Sequence, residues 1–219
     1  EITMYNRDYL SNQSTQYTQE SSQSQLMSFL KATYQLFAGS LLAATAGAYI
    51  GLGIVSILMG PVKWVLFAVE LALIFFVISR VKHTPGVNLA VLFAFTFITG
   101  LTIAPLLTAI FAMPSGAAIV GQAFLMTSVA FGGISMFAMT TKRDFSSIGK
   151  FLFIALIIMI VAGISNIFIQ SSMMQLAIAS VGALLFSAFI LYDTQQIIKG
   201  NYDSPIEAAL SLYLDFFNL

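Results

Sequence analysis

The chain has no cysteine, which removes disulfides, thiolate zinc sites and thiol nucleophiles together. It has one histidine, His83, too few for a histidine metal cluster. Charge is also scarce: 8% of the 219 residues are Asp, Glu, Lys or Arg, where a water-soluble domain carries roughly a quarter. Nine basic residues cancel nine acidic ones, so there is no basic footprint of the kind that phosphate backbones attract, and nucleic acid is excluded as a main partner. Hydrophobic side chains take up the difference, at 58% of the chain. A chain of this composition belongs in lipid.

Residues 1 to 25 are rich in Ser, Gln, Thr and Asn, a composition that buries too little apolar area to order itself, and this segment is expected to be a mobile polar tail. From Lys31 onward, long apolar stretches alternate with short polar breaks, and a helix needs about 20 such residues to cross the hydrocarbon core. Seven stretches are expected, at 31 to 58, 62 to 79, 87 to 111, 116 to 140, 150 to 169, 175 to 198 and 205 to 219. Helices are preferred to a β-barrel because the runs lack strict alternation and backbone groups in lipid must be satisfied within the segment. The expected organisation is therefore a tail, 1–25, followed by one all-α transmembrane domain, 26–219. The chain starts at Glu1 and stops at Leu219 inside an apolar run, so both natural ends are expected to lie outside it.

Orientation follows from Lys and Arg in short loops, which stay on the cytoplasmic side. Arg7, Lys31, Arg80, Lys82, Lys142, Arg143, Lys150 and Lys199 fall on one side and only Lys63 on the other, which places the N-terminus in the cytoplasm. The last stretch has fifteen residues, so it either crosses or re-enters and returns. Short loops and a polar tail fit a bacterial inner membrane.

Three ionisable residues stand inside the apolar stretches: Glu70 in the second, Asp193 in the sixth and Asp215 in the seventh. Each costs about 2.5 to 3.5 kcal/mol on insertion scales, so each needs a partner or a purpose. Consecutive spans joined by a short loop pack antiparallel, which brings Asp193 and Asp215 toward a common depth. Two carboxylates within hydrogen-bond reach cannot both ionise cheaply, so such a pair titrates as a unit around a shared proton. The plainer alternative is that each Asp joins neighbouring helices. Arg80, at the cytoplasmic mouth, serves as a topology anchor or, more sharply, as a gate cation for Asp193. Glu70 is either satisfied by a hydroxyl on another helix or placed on a cation path. Thr99-Gly100 and Pro105 predict a kink, Gly47 and Gly51 a close helix contact, and Trp64, Tyr192, Tyr202 and Tyr213 are read as interface or packing aromatics.

The strings Leu191-Tyr192-Asp193-Thr194-Gln195 and Ala209-Leu210-Ser211-Leu212-Tyr213-Leu214-Asp215-Phe216-Phe217-Asn218-Leu219 resemble the signature ends of the transmembrane Bax inhibitor motif family, in a bacterial-type member. Glu70, the segment from Phe97 to Leu107 and Thr141-Lys142-Arg143-Asp144 add to the resemblance, which covers most of residues 30 to 219. It implies seven helices, two three-helix layers around a central last helix, and a pH-sensitive calcium leak. Under it, Asp193 and Asp215 match the family's pH-sensing pair, Arg80 its gating arginine and Glu70 the acidic residue of its pore. Calcium would be the permeant ion, held transiently by Asp193, Asp215 and Glu70, with protons as the second ligand and no tightly bound cofactor; a hard divalent ion takes oxygen ligands. The expected class is a channel and not an enzyme. Two alternatives stay open: a proton-coupled ion or solute transporter, and an intramembrane aspartyl protease, although Leu212-Tyr213-Leu214-Asp215 departs from the Gly-x-Gly-Asp of such proteases. Protein partners are not legible.

Overall fold

The computed structural model describes residues 2–74, 80, 84 and 86–219, with side chains from residue 22 onward. Among the described residues the regular elements are all helical. α1 runs Ile2–Gly53, followed by the single turn α2, Val55–Leu58, and by α3, Val62–Ala72. Then come α4, Val87–Phe111, α5, Gly116–Thr140, α6, Gly149–Ile169, α7, Ser172–Ile198, and α8, Pro205–Asn218; a short 3-10 turn, Ser146–Ile148, precedes α6.

Five segments are long and apolar enough to cross a bilayer: Ser22–Gly53 within α1, Val87–Phe111, Gly116–Thr140, Ser146–Ile169 and Ser172–Ile198. The last four coincide closely with the third, fourth, fifth and sixth expected stretches, whereas the first starts nine residues before the expected 31 and ends at Gly53, five short of the expected 58. The other two expected spans do not reach that length among the described residues. α3 has 11 residues, and the end of its stretch, together with Lys82 and His83, lies outside the described residues. α8 has 14, roughly 21 Å of helix against a hydrocarbon core of about 30 Å. At the other end, α1 carries helical backbone through the polar segment read as a tail; a helix closes its own hydrogen bonds and needs no buried area to do so.

Outward faces are strongly apolar. Phe168 is 83% exposed, Met173 81% and Leu184 75%, a surface that water would not tolerate and lipid does. With no hydrophobic drive between helices in lipid, close backbone packing has to hold them together. α1 and α4 supply it. A Cβ on Gly47 would stand 2.0 Å from the Phe97 carbonyl oxygen, and one on Gly100 2.0 Å from that of Ala44, so the two backbones touch directly. The close contact expected at Gly47 and Gly51 is thus made against α4, which runs unbroken through Pro105.

α8 is the most enclosed element. It packs against α1, α4, α5 and α7, and Ala208, Ala209, Leu212 and Tyr213 are fully buried. Phe216 wedges between α1 and α5, with ring centroids 5.7 Å from Phe37 and 5.5 Å from Phe131. Local chemistry starts the helix cleanly. The Ser204 hydroxyl accepts from the Ile206 N–H at 3.2 Å, Pro205 occupies the first turn where its missing N–H costs nothing, and Glu207 complements the helix dipole.

Candidate functional site

Asp193 lies near the end of α7 and Asp215 ten residues into α8, and both are buried, at 7% and 4% exposure. α7 and α8 are joined by a tight loop that turns at Gly200, whose φ of +71° is open to glycine and strained for most other residues. Asn201 holds that turn, its N–H donating to the Gln196 carbonyl at 3.0 Å and its side-chain amide to Gln196 Oε1 at 2.6 Å. Folding back on itself, the chain brings Asp193 beside Asp215, with Ser211 and Tyr202 as polar neighbours. Ser211 precedes Asp215 by one helical turn and so shares its face. The Tyr202 hydroxyl donates to Ser211 at 2.8 Å. Asp215 Oδ2 is buried and makes no hydrogen bond among the described residues.

A second polar step lies between α3, α4 and α8. Glu70, half-buried, accepts from Thr102 Oγ1 at 2.7 Å. One turn earlier on the same face of α4, Thr99 hydrogen-bonds the hydroxyl of Tyr213, which is wholly buried. The chain of groups Glu70, Thr102, Thr99 and Tyr213 therefore ends two residues from Asp215. Glu70 does not join the aspartates in one site; among the described residues no three of His, Cys, Asp and Glu gather as metal ligands would.

Arg80 is exposed. Tyr202 and Tyr213, read from the sequence as interface or packing aromatics, have polar work in addition. The available signals were spacings: Ser211 four residues before Asp215, and Thr99 and Thr102 three apart opposite Glu70.

The C-terminal end of α7 is also pinned from outside the pair. Gln195 spans the loop after α5, accepting from the Phe145 N–H at 2.9 Å and donating to the Arg143 carbonyl at 2.8 Å. Gln196 donates to Ser146 Oγ at 2.9 Å, and Lys199 bonds both Ser146 Oγ, at 2.7 Å, and Asp144 in an ion pair. The Lys199 ammonium holds the Asp144 carboxyl down to about 2, well below its ordinary range. Thr194 reaches Ser135 of α5 at 3.5 Å. The helix end that carries Asp193 is therefore fixed to the loop at residues 143–146 on one side and to α8 on the other.

Residues 26–219 match the model of the family described as "Inhibitor of apoptosis-promoting Bax1". Across its whole length the chain is 50% identical to an uncharacterized protein of Campylobacter jejuni, covering 94% of that protein. It is 39% identical to an uncharacterized membrane protein of Vibrio cholerae, over 87% of this chain and 84% of that one. It is 34% identical to the mouse protein lifeguard 4, over 88% of this chain and 81% of that one.

Proposed function

The chain belongs to the Bax inhibitor family and is a multi-pass membrane protein, and from that premise we propose that it is a pH-sensitive calcium leak gated by Asp193 and Asp215. The observation that supports the reading is a pair of buried carboxyl groups on two helices that a tight loop folds side by side, one of them with an oxygen that nothing among the described residues satisfies. A structural cross-link would use both oxygens; a group that exchanges protons or cations needs one to spare.

The gate works through the charge of the pair. With both carboxyl groups ionised, repulsion between them calls for a cation. Arg80, on the side rich in Lys and Arg, is the candidate that would close the path by drawing the cytoplasmic ends together. When the pair takes up a proton, that attraction weakens, α7 and α8 are released to separate, and cations pass toward Glu70. Calcium would meet carboxylates and hydroxyls one after another, without a cage deep enough to trap it. In this arrangement the stretches holding α3 and α8 complete seven spans, two three-helix layers enclose α8, and the N-terminus faces the cytoplasm of a bacterial inner membrane, as the loop charges imply.

The test is purified protein in liposomes loaded with a calcium indicator, with flux followed between pH 5 and 8. Leak should rise on acidification. Asp193→Asn and Asp215→Asn should each flatten the response, because a lone carboxyl has no charged neighbour with which to share a proton. Wild-type pH profiles in both variants at equal protein density would refute the gate.

A further inference from the structure

Among the described residues, three buried side-chain oxygens make no hydrogen bond: Asp215 Oδ2 on α8, and Thr33 Oγ1 and Ser40 Oγ on α1. Both hydroxyl residues are wholly buried, where an unsatisfied polar group costs most. A helical Ser or Thr has a remedy within reach, the carbonyl four residues back. Thr45 on α1 itself, Thr108 on α4, Ser128 on α5, Ser165 on α6 and Ser180 on α7 all take it, at 2.7 to 2.9 Å. Thr33 and Ser40 leave that bond unmade in the interior of the molecule.

Thr33, Phe37, Ser40 and Ala44 recur at the spacing of one helix face, and all four are buried. The neighbours of this face locate it. Phe37 stacks on Phe131 of α5, with ring centroids 4.9 Å apart, and meets Phe216 of α8, the residue after Asp215, at 5.7 Å. Further along, the Ala44 carbonyl is in backbone contact with Gly100 of α4. Thr33 therefore stands one turn before the contact with α8, and Ser40 one turn after it. We propose that Thr33 and Ser40 bind internal water in the seam between α1 and α8, which makes α1 a hydrated wall beside the helix that carries Asp215.

What these groups can bind follows from their chemistry. A neutral hydroxyl both donates and accepts, and a water molecule complements it in either role. Neither residue brings the charge that would offset the dehydration of an ion. Seven residues of helix separate them by about 10 Å, so no single ion touches both and each holds its own water. A buried water makes about three hydrogen bonds, and the hydroxyl together with the second lone pair of a nearby helical carbonyl begins that set. The inference goes beyond the leak proposed above and requires neither calcium nor charge on the aspartates.

Thr33→Val keeps the shape of the side chain and loses the hydroxyl; Ser40→Ala does the same with little change in volume. A dry, unbonded hydroxyl would be relieved by these changes, and Tm would rise. A hydroxyl that holds water leaves that water short of a partner when it is removed, so each variant should lose about 2 to 4 °C in Tm. Ser128→Ala, which removes an exposed hydroxyl bonded to its own helix, should leave Tm where it is. Water is read directly by radiolytic labelling: hydroxyl radicals formed by a brief X-ray exposure of the purified protein in detergent oxidise side chains beside bound water. Phe37, only 7% exposed, is the reporter between the two sites. Mass spectrometry should find Phe37 oxidised in wild type and severalfold less so in the double variant, with Tm lowered in at least one single variant. Phe37 unlabelled in wild type, Phe37 labelled equally in the double variant, or Tm raised or unchanged in both single variants overturns the hydrated seam. Ser40→Ala carries the labelling comparison if the double variant does not fold. Calcium flux from indicator-loaded liposomes is scored separately: a labelled Phe37 without acid-activated flux sinks the leak and leaves the seam standing, and flux with Phe37 unlabelled does the reverse.

Discussion

Substituting Gly100 by alanine adds a single methyl group where the helices α1 and α4 are in backbone contact. The new Cβ would lie 2.0 Å from the Ala44 carbonyl oxygen and 2.8 Å from the Ala48 nitrogen. Carbon and oxygen rest at about 3.3 Å, so the helices must part by roughly 1 Å. A gap of that size forfeits about a quarter to a half of the dispersion attraction along the seam. Neither clashing atom belongs to a side chain that could rotate aside, so the cost falls near the upper end of the usual overpacking range, about 3 kcal/mol. Alanine returns up to about 1 kcal/mol through its better helix propensity. The net loss is about 2 kcal/mol, or roughly 4 to 8 °C in Tm for a chain of this size. Gly132 is the internal control: a Cβ there meets nothing within 4 Å, so Gly132→Ala should raise Tm slightly or leave it alone. Thermal unfolding in mild detergent, read as the folded fraction recovered by size exclusion, compares the two. If Gly100→Ala is as stable as Gly132→Ala, direct backbone contact does not hold α1 to α4.

Glu70→Gln should lower calcium flux without moving its pH midpoint, whereas Thr102→Val, which strips Glu70 of its donor, should lower flux less; flux unchanged in Glu70→Gln makes the residue structural. The Asp144 carboxyl sits at about 2 in the folded protein, below its unfolded value near 4, so the stabilisation from its pairing with Lys199 is complete above pH 4 and is lost as pH falls toward 2. Amide exchange at residues 144–148 should accordingly stay flat from pH 7 to 4, after correction for intrinsic rates, and accelerate below that; Asp144→Asn should erase the inflection. A single cysteine introduced near the N-terminus, in a chain that has none of its own, should resist labelling by an impermeant thiol reagent from outside intact cells. Labelling there would reverse the topology drawn from the loop charges.

Much of this architecture is written in one dimension. Five apolar helices, and the limits of the last four within a few residues, follow from run length, because a lipid-embedded backbone has one local solution and the side chains only have to be apolar for long enough. Asp193, Asp215 and Glu70 are conspicuous for the same reason: a carboxyl group in such a run is expensive, so its presence signals a purpose before any partner is known. Their spacing across a short loop even indicates that the two aspartates approach each other. The partners themselves depend on folding. Tyr202 reads as an interface or packing aromatic until Gly200 and Asn201 turn the chain and bring its hydroxyl to Ser211, one turn from Asp215. Thr99 and Thr102 become polar neighbours of α8 and α3 only because Gly100 and Gly47 let α4 settle against α1. α8 is the sharpest case. Its 14 residues are short for a span, and only enclosure by α1, α4, α5 and α7 makes it the buried centre of the molecule. Periodicity and hydropathy are properties of a segment and its solvent, and so can be read locally; the pairing of hydroxyls with carboxyl groups depends on which segments meet, and that is decided by close packing across distant parts of the chain.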